Sequence, residues 1–93
     1  MKDIVMIVDD YVTNRFMLSA MLEDKYDILE AEDGSKAIKL LGELEDNKLP
    51  SVILLDIMMP GVDGFGVIEY IKSKEKLKGI PVLFITAAND EET

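Results

Sequence analysis

Asp56 stands at the end of an apolar run, Val52 to Leu55, within the stretch SVILLDIMMPGVDGF at 51–65. A carboxylate there is costly to desolvate unless something offsets its charge. A second short apolar run, Ile4 to Val8, also ends in acids, Asp9 and Asp10, and a third, Pro81 to Ala88, carries the hydroxyl of Thr86 near its end. If these runs are neighbouring parallel strands, three carboxylates and a hydroxyl converge on one rim. Two unit charges ~4 Å apart repel by about 4 kcal/mol at an effective dielectric near 20, so the three acids require a cation among them. The chain has no histidine and no cysteine, which leaves oxygen ligands and a hard ion. Mg²⁺ fits that donor set best, because it keeps several waters and needs only one or two carboxylates plus phosphate oxygens. Taken alone, Asp9-Asp10 reads equally well as a solvated strand end or a helix cap. The constellation at matching strand ends is what points to a site.

Those ends need a sheet to hold them. Val12, Phe16, Met17, Ala20 and Met21 follow a 3.6 period and predict a helix from Val12 to Glu23, with Thr13 or Asn14 near its start. KYDILEA reads as a second strand. DGSKAIKLLGELEDN follows as a helix with Ala37, Ile38, Leu41 and Leu44 on one face and Ser35 as its N-cap. PSVILLD is the third strand, opened by a proline where a missing N–H matters little. DGFGVIEYIKSK is a helix capped by Asp63, with Phe65, Ile68 and Ile71 aligned, and GIPVLFITA is the fourth strand. The order is β-α-β-α-β-α-β. Strands 1, 3 and 4 lack polar alternation, as expected when helices cover both faces of a parallel sheet, whereas strand 2 is mixed and reads as an edge. The fold class expected is α/β, a doubly wound parallel sheet that binds ligands at the carboxyl ends of its strands.

Composition narrows the function. With 93 residues the chain makes one small domain. A net charge of −9 works against gripping a nucleic-acid backbone. No apolar run approaches the ~20 residues of a membrane span. The amino-terminal apolar stretch is too short for a signal peptide, so a cytoplasmic protein is expected.

The motifs IVDD (7–10), LLDIMMPGVDGF (54–65) and FITAA (84–88) together make the chain resemble the receiver domain of two-component response regulators. The resemblance spans the whole chain. It implies a flavodoxin-like sheet in the order 2-1-3-4-5 and a phosphorelay function. Asp56 would accept a phosphoryl group from a sensor histidine kinase or phosphotransfer protein. Asp9 and Asp10 would hold Mg²⁺ together with Asp56 and the backbone carbonyl of Met58. Thr86 would bond the phosphoryl oxygens as the switch, and Gly64 would shape the rim. Such a domain is a phosphoacceptor that assists its own phosphorylation, not a turnover enzyme, and binds neither nucleic acid nor membrane directly. The chemistry agrees: a carboxylate is already ionised at neutral pH and needs no histidine to activate it.

One departure is expected to matter. The family places a lysine and an aromatic switch residue on a fifth strand, whereas this sequence stops at Thr93, after strand 4. Residues 1–93 are therefore expected to form a receiver domain truncated at its carboxyl end, with sheet order 2-1-3-4 and weakened phosphoacceptance. Arg15, on the first turn of helix 1, is the one cation that could lean toward the rim. Strand 4 would be left as an apolar edge, which predicts a homodimer through it. The alternative function is a non-catalytic interaction module that keeps the acidic pocket without switching. Dinucleotide binding fails because DGFGVIEY lacks the third glycine, and an EF-hand fails because Val67 stands at the bidentate glutamate position. A dehalogenase-type phosphatase would want an aspartate where Met58 stands.

Overall fold

The computed structural model describes residues 2–59 and 61–85. Along the chain come β1 (Asp3–Val8), α1 (Val12–Leu22), β2 (Tyr26–Ala31), α2 (Gly34–Glu43), a 3-10 turn (Asp46–Lys48), β3 (Val52–Asp56), α3 (Gly64–Ser73) and β4 (Val82–Ile85). The strands pair in parallel in the order β2-β1-β3-β4, the sheet expected from the sequence. Parallel neighbours cannot be joined by a tight hairpin, so a helix crosses over in each link. Val5 to Val8 of β1 are all buried, which is why that stretch carries no polar residue, while the strand's exposed first residue is Asp3.

The side chains of β1 alternate between two unlike faces. Met6 and Val8 join Ile53 and Leu55 of β3 in a core with Ala37 and Leu41 of α2, Val67 and Ile71 of α3, and Leu77. Val5 and Ile7 are equally buried but point the other way, toward the side on which α1 meets β1 and β2.

Helix starts refine the sequence reading. The cap of α2 is Asp33, whose carboxylate accepts the N–H of Lys36, and not Ser35, which lies inside the helix. A cap side chain must reach an N–H two or three residues on, and Asp33 has that spacing. The same geometry recurs at α3, where Asp63 accepts the N–H of Gly66, as expected. The second helix ends at Glu43 rather than running on to Asn47, the acidic residues beyond it closing a separate 3-10 turn. In α3 the inward face is Gly64, Val67 and Ile71, while Phe65 turns outward to meet Phe84 with ring centroids 6.5 Å apart.

Candidate functional site

Register sets the site. β1 and β3 pair residue by residue from Val5 with Val52 to Val8 with Leu55. Asp9 and Asp56 come next on each strand, so they leave adjacent parallel strands at the same level. With Asp10 they place one carboxylate oxygen apiece within 4.8 Å of one another. Asp9 is 2% exposed and Asp56 3%, and Asp10 is the most open of the three.

The two buried acids are held differently. Asp9 accepts the Tyr11 N–H on Oδ1 at 2.9 Å and the Asn14 Nδ2 on Oδ2 at 3.3 Å. Its backbone N–H donates to the carbonyl of Ala31 at 3.1 Å, and its carbonyl accepts Arg15 Nη1 at 2.6 Å. Asp56 accepts the Met58 N–H on Oδ1 at 2.9 Å, which folds the loop after β3 back over its carboxylate. Burial pushes the Asp56 carboxyl above the usual carboxylate range; the Met58 N–H works against this, and the charges of Asp9 and Asp10 and contact with Asp9 add to it. Desolvation and like charge therefore both oppose ionisation of Asp56, and both are relieved by a cation among the acids. The donor set, three carboxylates without nitrogen or sulfur, fits Mg²⁺.

Two glycines press the loop after β3 into place. A Cβ on Gly34 at the start of α2 would stand 2.0 Å from the carbonyl oxygen of Val62, and one on Gly64 2.5 Å from the Cα of Ile57. The loop carrying Met58 is thus pinned by the amino ends of both α2 and α3. Between these contacts Gly61 takes a positive φ of 71°, a conformation glycine adopts without a Cβ penalty.

Of the residues singled out from the sequence, Asp9, Asp10 and Asp56 come together, Met58 lies over Asp56, and Gly64 shapes the loop. Thr86 lies outside the described residues. Arg15 does not turn its guanidinium to the rim. It is committed to the Asp9 carbonyl and to Glu30 of β2, whose Oε1 lies 3.1 Å from Nε. The sequence reading missed Asn14 and Gly34. The Asp33-Gly34 pair at a helix start was a visible signal for the second, whereas nothing in the spacing distinguished Asn14 from a helix cap.

Known proteins resemble this chain in sequence and in fold. The chain matches the response regulator receiver domain family over residues 5–93. It is 36% identical over 90 residues to Protein PilH of Pseudomonas aeruginosa, covering 96% of this chain and 70% of that protein. It is 39% identical over 84 residues to Response regulator PleD of Caulobacter vibrioides, covering 89% of this chain but only 18% of that longer protein. A solved receiver domain protein from Methanospirillum hungatei JF-1 superposes with a TM-score of 0.77 at 35% identity, over 99% of this chain and 71% of that one. No helix among the described residues is long and apolar enough to cross a membrane. On the strength of the family match, this chain is a member of the response regulator receiver domain family.

Proposed function

We propose that Asp56 is the phosphoacceptor of this receiver domain, taking a phosphoryl group from the phosphohistidine of a sensor kinase or phosphotransfer protein in the cytoplasm. The observation that carries this is the meeting of Asp9, Asp10 and Asp56 at adjacent strand ends, two of them buried. An Asp56 carboxylate oxygen attacks phosphorus, the phosphorus–nitrogen bond of the donor breaks, and an aspartyl phosphate forms. The donor imidazole leaves with the electron pair and takes a proton from water. Asp9, Asp10, Asp56 and the Met58 carbonyl would hold Mg²⁺, which when bound neutralises charge on the transferring group. Asp9 is fixed by its hydrogen bonds before any ligand arrives, and Met58 caps the nucleophile from above. Thr86 would bond the phosphoryl oxygens once they are in place. The chain thereby assists its own phosphorylation without turning over a substrate. Intact mass after incubation with a small acyl phosphate tests this. One added phosphoryl group is expected with Mg²⁺ and none without it or in Asp56→Asn. Equal labelling of Asp56→Asn would end the assignment.

A second reading, self-association, is favoured by β4. With β2 it is one of the two outer strands of the described sheet, and it has Leu83 57% and Phe84 50% exposed on opposite faces. Such an edge is a template for a second copy. Sedimentation equilibrium at ~100 µM is expected to give a dimer that Phe84→Lys weakens. A monomer at that concentration would refute it.

A further inference from the structure

Asp9 is an acid with all of its polar atoms engaged, and three of those four partners are main-chain groups or reach its main chain. The exception is the Asn14 Nδ2, which donates to Asp9 Oδ2 at 3.3 Å. Asn14 sits in the first turn of α1, which begins at Val12 without any side-chain cap. Its amide is therefore not spent on the helix end, where an asparagine near a helix start would ordinarily go. It is turned back across the turn onto the carboxylate. The opposite oxygen of Asp9 is fixed by Tyr11 N–H, so the two bonds together set both the position of the group and the rotation about its last torsion. The next residue, Arg15, clamps the Asp9 carbonyl and is itself held by Glu30, which also accepts the hydroxyl of Ser19 at 3.0 Å. The first turns of α1 are thus fastened to the end of β1 and to β2, and the amide of Asn14 is delivered by a fixed support.

We propose that Asn14 is a positioning residue for the metal site: its amide holds the Asp9 carboxylate turned toward Asp10 and Asp56, so that a divalent cation meets a preset ligand instead of a rotating one. The inference rests on the reading of the three acids as a Mg²⁺ site. Side chains that orient a ligand by a hydrogen bond contribute to affinity because the ligand's freedom is already lost before the metal binds. Oδ2 still has a second lone pair free for the cation while it accepts from Asn14.

The test is calorimetric Mg²⁺ titration of the full chain, with thermal melting without Mg²⁺ as the companion measurement. Asn14→Ala and Asn14→Leu are both expected to weaken Mg²⁺ binding about ten- to a hundredfold, the scale on which losing a hydrogen bond to a metal ligand lowers affinity. Leucine keeps the branched shape of the side chain and favours the helix at least as well, but has no donor, so a purely structural role for Asn14 would spare it. Thr13→Ala, on the same turn, is expected to bind as the wild type does. Labelling by a small acyl phosphate should need more Mg²⁺ for half-maximal rate in both variants, yet return to within about twofold of wild type at saturation. Wild-type affinity in Asn14→Leu overturns the proposal. So does a loss of affinity that tracks a fall in melting temperature across the variants. A wild-type chain that binds no Mg²⁺ removes the metal site itself, an outcome distinct from either.

Discussion

The two faces of the sheet are built to different standards. On one, α2 and α3 close over Met6, Val8, Ile53 and Leu55, and the core there is sealed. On the other, α1 buries none of its residues completely, and the stripe that gave the helix its sequence signature points outward, with Phe16 71% exposed. Val5 and Ile7 beneath it are nonetheless buried. What secures α1 is polar: Arg15 to the Asp9 carbonyl and Glu30, Ser19 to Glu30, Asn14 to Asp9. The closed face supplies stability, and the open face supplies orientation to the acids while presenting an apolar surface to solvent. An amphipathic period thus reports a helix without reporting which side faces the protein.

The sharpest way to break this comparison is to open the closed face. Ile53→Ala removes a fully buried branch from the core and should cost about 2–5 kcal/mol in urea unfolding. A loss below ~1 kcal/mol would mean that the two faces are equivalent after all. Gly34→Ala comes next. The new Cβ meets backbone at Val62, which cannot rotate aside, so about 1–3 kcal/mol is expected, with a shift in the amide resonance of Met58 as the loop moves. A stability unchanged within ~0.3 kcal/mol would show that the loop yields freely, well under the usual overpacking cost.

Asp56 answers to pH in the opposite sense from an ion-paired carboxylate. The folded-state pKa of Asp56 is raised, so the native state holds its proton longer than the unfolded chain does. Stability attributable to Asp56 is therefore full below the ordinary value of 3.8 and lost as pH rises through the folded-state pKa. Without Mg²⁺, Asp56→Asn should melt above wild type at pH 7, and the gap should close on acidification and on adding Mg²⁺. A gap that widens in acid would contradict the burial argument. The smallest effect belongs to the open face, where Phe16→Ser should change unfolding free energy by no more than about 0.5 kcal/mol. A larger loss would place a packing partner over α1.

Much of the site could be read before any fold was known, because strand ends are where parallel sheets present ligands and acids ending apolar runs are conspicuous. Asp9, Asp10 and Asp56 are of that kind, as are β1, β3 and β4, whose apolar runs admit few other readings. Asp63 was legible as a cap for the same local reason. Ser35 was not the cap because Asp33, two positions earlier, had the better reach, a choice made by backbone geometry and not by residue type.

Local chemistry in the sequence determined the alternation of strand and helix, the parallel sheet with β2 at its edge, and the identity of the acids. Tertiary structure alone decided the rest. It set the level match of Val8 with Leu55 that brings Asp9 beside Asp56, since register is a relation between strands far apart in the chain. It turned Arg15 toward Glu30 instead of the rim, because β2 supplies a carboxylate within reach. It gave Gly34 its importance, because only the folded chain puts the Val62 carbonyl where a Cβ would be. Each of these depends on distance across the fold, which spacing along a single chain does not encode.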